Sequence, residues 1–314
     1  MMLNKTHHSR QIGRLVRLIT SFRRVVLIAP GAIILQLAPA LALDGSDTGA
    51  QKSVPKSFAS GQEALRVGEE DLRAGNMEGS VAALTFAAAS GQTIARWKLG
   101  QMYAEGDGVP SDASKAYYYF NKLVEDYDED QPDRQDESAV SDAFVAVGVY
   151  CLNGIPNSQV KPDPQRAHEL FQYAATRFAD PNAQYNLAHM YMIGSGGLAK
   201  DNVAAIRWLA LAAKQGHSPS QALLGHMLFV GNGVVDQRAR GLMWLELAKD
   251  GASNPKDQWV LDLYLRDFRV ASESERLAAA SMRDARARGT SPPLSPRSSL
   301  ASSLQPFNTL PADQ

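Results

Sequence analysis

The sequence predicts an all-α protein, an α-solenoid of stacked helix–turn–helix repeats. Three observations predict it. A pattern of apolar and small residues recurs along the chain, a pair of turn glycines punctuates most copies, and a second apolar stripe follows each copy at a fixed distance.

The pattern reads Ala-x-x-x-Leu-Gly-x-x-Tyr-x-x-Gly-x-Gly. Its first copy is Ala95, Leu99, Gly100, Tyr103, Gly106 and Gly108. The second is Ala143, Val147, Gly148, Cys151 and Gly154, and the third is Ala183, Leu187, Ala188, Tyr191, Gly194 and Gly196. The fourth is Ser220, Leu224, Gly225, Leu228, Gly231 and Gly233. Positions equivalent to Gly100 are 48, 40 and 37 residues apart. Apolar residues at i, i+4 and i+8 fall on one face of a helix. A small residue at the Gly100 position lets a partner helix approach, and the paired glycines end the helix in a turn needing positive φ. Asp112, Asp163 and Asp201 then stand where an N-cap or first-turn acid starts the second helix. The second stripe includes Ala116 and Phe120, then Ala167, Leu170, Phe171, Ala174 and Ala175. It continues as Ala205, Trp208, Leu209, Ala212 and Ala213, then Trp244, Leu245 and Ala248. Alanine pairs keep this helix thin enough to stack on the next unit.

Residues 63–74 and 81–91 form the two helices of an earlier, degenerate copy. Residues 259–286 keep the helical period with more charge, as a terminal cap requires. The array is expected over 59–288, with an acidic insertion at about 125–142 that stretches the first spacing. That insertion holds nine acidic residues and one base, Arg134. Asp126, Asp128, Asp130 and Glu137 match positions one, three, five and twelve of a calcium loop, but the sixth position, normally Gly, is Gln131. A solvated acidic loop is the expectation.

Residues 1–42 are expected to be a cleaved signal peptide. They carry six basic residues and no acidic one, and Val25 to Leu37 is an apolar stretch short for a membrane span. Ala40-Leu41-Ala42 fits a small-x-small cleavage site, and no cysteine follows it to take a lipid anchor. Residues 43–58 read as a flexible arm, and 289–314, with five prolines, six serines and two charges, as a disordered tail. Export in this form implies a periplasmic location. After residue 42 the chain has 26 basic and 33 acidic residues, a formal charge of −7, which argues against a nucleic-acid partner.

Candidates for chemistry are few. Cys151 takes the position of Tyr103 and Tyr191 on the apolar stripe, expected to be buried in each repeat, and reads as a buried thiol. His168, His189, His217 and His226 are never paired at i, i+4, and His217 is placed at a helix C-terminus. Gly106-Asp107-Gly108 is a repeat turn and not a phosphate cradle, since no strand precedes it and no Gly-Lys-Ser/Thr follows. No catalytic, cofactor-binding or metal-binding set is expected, and the chain is read as a binding protein and not an enzyme. Leu99, Gly100, Tyr103, Gly106, Gly148, Gly154, Leu187, Tyr191, Gly194, Trp208, Gly225, Gly231 and Trp244 are assigned structural roles in the repeats. Among Trp97, Tyr117, Tyr118, Tyr119, Trp208 and Trp244, some aromatic side chains must be exposed, because Tyr117 to Tyr119 cannot share one helix face.

These repeats resemble the Sel-one-like family, a branch of the tetratricopeptide-like helical repeats. A narrower likeness rests on Ala95-Arg96-Trp97-Lys98-Leu99 and on the run Met102 to Val109. It also rests on Leu152-Asn153-Gly154-Ile155-Pro156, Asp180 to Tyr185, and Gly241-Leu242-Met243. In these runs, up to about residue 285, the chain resembles the ExoR-like periplasmic regulators of exopolysaccharide synthesis. That resemblance implies a negative regulator that binds the periplasmic domain of a membrane sensor histidine kinase. It also implies a periplasmic protease whose action releases the kinase. The alternative reading is a non-catalytic envelope scaffold holding cell-wall or secretion components.

Overall fold

The computed structural model describes residues 57–130, 136–234, 237–252 and 257–289, all within one compact unit, Pro55–Gln314. The expected signal peptide, nearly all of the expected arm and all but the first residue of the expected tail lie outside the described residues. Twelve α-helices occupy the described residues, with no strand among them. They are α1 (Gly61–Arg73), α2 (Met77–Ala89), α3 (Thr93–Glu105), α4 (Ala113–Glu125), α5 (Glu137–Asn153) and α6 (Pro164–Arg177). The others are α7 (Pro181–Ile193), α8 (Asn202–Lys214), α9 (Ser218–Val230), α10 (Arg238–Gly251), α11 (Gln258–Val270) and α12 (Glu273–Ala287). Odd-numbered helices through α9 are the first helices of repeats and even-numbered ones the second. Each helix packs most closely on its sequence neighbour within the repeat, then on the next repeat. The cap breaks the alternation, because α12 returns to pack on α10.

Inside each repeat the contact depends on a missing or minimal side chain. A methyl added at Gly100 would lie 2.7 Å from the Phe120 ring, and one at Gly148 would lie 2.5 Å from Phe171. In the fourth repeat two glycines face each other. A Cβ on Gly225 would meet the Gly241 carbonyl at 2.7 Å, and one on Gly241 would meet the Gly225 carbonyl at 2.6 Å. The third repeat uses Ala188, which is fully buried.

The turns repeat at atomic detail. Gly106, Gly194 and Gly231 end their helices in the left-handed region, at φ of 75°, 71° and 69°. Gly154 also has positive φ, 69°. The backbone N–H that begins each second helix donates to the carbonyl at the Tyr103 position of its own repeat. The four bonds are Asp112 to Tyr103 (2.9 Å), Asp163 to Cys151 (2.6 Å), Asp201 to Tyr191 (2.9 Å) and Gln237 to Leu228 (2.8 Å). Asp112, Asp163 and Asp201 are N-caps whose carboxylates accept from N–H groups of the first turn.

Repeats are also tied to one another by a side chain of the first helix. Arg96 Nε donates to Ala88 O (3.2 Å), Gln221 Nε2 to Ala213 O (3.1 Å) and Gln184 Nε2 to Ala175 O (3.5 Å). Each acceptor is a C-terminal carbonyl of the preceding second helix, a group left without an intrahelical partner. The equivalent position in α5 is Phe144. It packs instead among Tyr127, Tyr173 and Phe178, with ring centroids 4.7–6.0 Å away.

Three expectations are corrected. Cys151 is buried, but Tyr103 and Tyr191 at the same repeat position are only half-buried. Their rings are too long to end inside one repeat. Tyr103 packs against the first and second hydrophobic clusters and Tyr191 against the second and third. Next, His217 is not at a helix C-terminus. It follows the positive-φ Gly216 and takes the N-cap position of α9. Last, the acidic insertion is not a loop throughout, since its final six residues, 137–142, start α5. Its two ends are held by arginines, Asp126 by Arg96 (2.6 Å) and Glu137 by Arg177 (3.0 Å). Gln131, at the sixth position of the calcium-loop comparison, lies outside the described residues.

The fold predicts a specific rescue. Gly148→Val should lower stability by about 2 kcal/mol, measured by urea unfolding, because the new side chain meets the buried Phe171 ring. Adding Phe171→Leu should return part of that loss. An unchanged midpoint for Gly148→Val would contradict the close-approach account.

Candidate partner-binding face

The buried stripes of both helices are used in stacking, and the first helices carry a further set of polar and aromatic side chains. Two first helices also touch directly, α3 and α5, and the first helix α9 touches the cap helix α11. Along them runs a connected set of polar and aromatic groups. On α3, half-buried Trp97 donates its indole N–H to Asp142 Oδ2 on α5, at 3.1 Å. Burial, opposed by that bond and reinforced by the charge on Asp180, raises the Asp142 pKa. The preceding residue, Ser141, donates its hydroxyl to Asp180 Oδ2 at 2.8 Å, while Asp180 Oδ1 caps α7 by accepting from Ala183 N–H. Both Ser141 and Asp180 are buried.

The set continues on α7. Tyr185 lies 4.7 Å from the His189 ring and 5.3 Å, edge-on, from the His217 ring. Burial raises the Tyr185 pKa, and it pushes the His189 pKa down to about 4, so His189 is neutral at physiological pH. His189 Nε2 is buried and has no hydrogen-bond partner. His217 is also held down by burial, and its Nδ1 lies 2.8 Å from Ser220 Oγ. Gln215 links the repeats here, donating to Ala179 O (2.9 Å) and Gln184 Oε1 (3.1 Å).

His226 on α9 occupies the repeat position of His189. Its Nδ1 is 2.6 Å from Asp267 on α11, a buried carboxylate whose other oxygen accepts from Arg266 Nε at 3.2 Å. This pairing fastens the cap to the last repeat. Arg238 does the same from α10, bonding Glu275 at 2.6 Å and the Val270 carbonyl at 3.2 Å.

The repeat-structural residues read from sequence are placed as described above. Leu99, Leu187 and Trp244 are buried, Trp208 is half-buried, and Arg286 sits 4.7 Å over the Trp244 ring. Of the aromatic candidates, Tyr118 is the exposed one, 57% accessible, on the second-helix face. The first-helix row was missed, although its members recur at repeat positions. Its signal was the register: His189 and His226 each stand one residue after the small residue.

Among the described residues, no helix is long and apolar enough to cross a membrane, and no group of three or more His, Cys, Asp or Glu side chains is placed to hold a metal ion.

The Sel1 repeat family matches residues 93–126, 142–177, 181–217 and 218–253. The chain is 33% identical over 258 residues to an exopolysaccharide production negative regulator of Rhizobium leguminosarum bv. viciae, covering 82% of this chain and 94% of that protein. It is 32% identical over 219 residues to a protein of the same description from Rhizobium meliloti, covering 69% and 79%. Among solved structures, a Sel1 repeat protein from Oxalobacter formigenes superposes with a TM-score of 0.54 at 23% identity, over 76% of this chain and 91% of that one. A protective antigen of uropathogenic Escherichia coli with this repeat fold gives 0.51 at 21% identity, over 74% and 54%.

The half-buried histidines His189 and His217 set an acid response. The ordinary imidazole value is 6.5, and that of folded His189 is about 4. As pH falls through 6.5, the unfolded chain takes up a proton that the folded chain refuses, so stability is full above 6.5 and is lost between 6.5 and 4. The loss is roughly 3 kcal/mol at most from His189. His217 acts in the same direction, and Asp142, with its raised value, in the opposite one. Thermal unfolding of His189→Leu at pH 7 and pH 4.5 should show a smaller difference than the unsubstituted chain; an equal difference would refute the assignment.

With four Sel1 repeats, and relatives that align with most of their own length, this chain belongs to the Sel1-repeat family of the exopolysaccharide production negative regulators.

Proposed function

We propose that this chain is an exported negative regulator of exopolysaccharide synthesis, acting by binding and not by catalysis. Its partner in this reading is the periplasmic domain of a membrane sensor histidine kinase, which it holds in the resting state. The observation that carries the reading is the 33% identity across 94% of a relative described as such a regulator. The fold supports it, because stacked helical repeats present an extended binding surface without needing a catalytic pocket. The basic and apolar N-terminal segment supports delivery to the same compartment as a sensor domain.

The energetics are sufficient. A protein that binds only the resting state, at a free concentration 100 times its Kd, shifts the equilibrium by about 2.7 kcal/mol. Removal of the regulator, for example by a periplasmic protease, reverses the shift without any change in the kinase.

The test is binding of the chain from Leu43 onward to the purified periplasmic domain of the cognate sensor, by calorimetry. A Kd of about 10 μM or tighter is expected, and deletion of the gene should raise exopolysaccharide output. Absence of binding together with unchanged polysaccharide in the deletion strain would sink the proposal.

A further inference from the structure

We infer that the outer face of the cap helix α12 pairs with α12 of a second copy of this chain, antiparallel and about a two-fold axis. This goes beyond the role proposed above and does not depend on it.

The first observation is that α12 is short of neighbours. From α2 to α11 each helix packs closely on two or more others, whereas α12 packs closely on α10 alone. No helix follows it among the described residues. Of its fifteen residues only Ala279 is buried. A helix of this length is marginal by itself, and packing of its apolar side chains supplies most of its stability. Polar links hold the inner side, Arg238 to Glu275 at 2.6 Å and Arg283 to Glu246 at 3.5 Å.

The second is what the cap leaves outside. Val270 and Leu277, which precede and follow the first turn of α12, are 67% and 66% accessible. They are the most exposed large hydrophobics among the described residues, and Leu265 and Met282 of the same two helices are exposed as well. The terminal unit of a repeat array ordinarily turns a polar face outward. Exposed apolar side chains gathered at one end of a molecule mark a contact.

The third selects the occupant. A two-fold contact needs a surface complementary to itself. At the helical period, Glu273, Leu277, Ser281, Asp284 and Arg288 lie on the side of α12 opposite Ala279, and all five are exposed. Glu273 stands in the first turn and Arg288 just past the last, and neither has an ion-pair partner among the described residues. When Leu277 is set against Ser281 of the other copy, antiparallel, Asp284 faces the other copy's Ser274, a hydroxyl donor. Arg288 then comes within one turn of the other copy's Glu273, and the same contacts recur across the axis. The small Ser281 near the axis lets the two helices approach. A parallel pair would set Glu273 against Glu273 and Arg288 against Arg288. Pairing places two arrays about one axis, so a partner of the same symmetry engages both at once.

The test is sedimentation equilibrium of the full chain as its own cells process it. One helix pair is a small interface, so a dissociation constant on the order of 10 μM is expected. The mass should rise from one chain to two as concentration passes through that value. Leu277→Glu should weaken pairing at least tenfold and leave the thermal midpoint of the single chain unchanged, because the side chain it replaces is exposed. Glu273→Arg and Arg288→Glu should each weaken pairing, and the double variant should recover most of it, which only an antiparallel contact allows. A one-chain mass throughout, whether residues 290–314 or another protein covers this face, would overturn the inference. So would a dimer indifferent to Leu277→Glu, or a double variant as weak as the two single ones.

Discussion

Everything in this array depends on how closely two helices can approach inside one repeat. Gly100 and Gly148 receive the flat rings of Phe120 and Phe171, Ala188 is fully buried, and Gly225 and Gly241 bring two backbones together. A Cβ at Gly100, Gly148 or Gly225 lands within 3 Å of a neighbour. Because the pair is tight, the turn between the helices must be tight as well. The left-handed glycines at 106, 194 and 231 supply it. The bond from the start of the second helix back to the Tyr103-position carbonyl then fixes the angle of return. Side chains such as Arg96 and Gln221 tie each finished repeat to the carbonyls of the one before.

The hydrophobic clusters are filled by stacking, and half-buried Tyr103 and Tyr191 join one cluster to the next. The polar and aromatic side of the first helices adds bonds between neighbouring elements, Trp97 to Asp142, Ser141 to Asp180 and His226 to Asp267. There, Asp142, Tyr185, His189 and His217 are buried enough for their proton affinities to shift. Burial is the first cause of each of these shifts.

The repeat phase, the turn glycines, the aspartate caps and the buried Cys151 were legible in the sequence, because each follows from local pattern within one repeat. The parts that were not legible involve distance or size. His226 meets Asp267 across 41 residues, and Trp97 meets Asp142 across 45. The carbonyl ties look like unrelated Arg and Gln residues until the repeats are stacked. His217 was misplaced by one helix end, since Gly216 closes α8 and leaves His217 to open α9. Tyr103 and Tyr191 were expected to be buried as Cys151 is, because periodicity reports direction and not the length of a side chain. The acidic insertion was marked by charge, but the packing of its Tyr127 among Phe144, Tyr173 and Phe178 brings together residues up to 51 apart.

The central claim is that this repeat array restrains a kinase by binding it. The most direct measurement is autophosphorylation of the full-length cognate sensor kinase in proteoliposomes, with its periplasmic domain outward and the chain titrated from outside. The account predicts a saturable fall in autophosphorylation as the chain is added. A rate that stays constant or rises at saturating chain would contradict it.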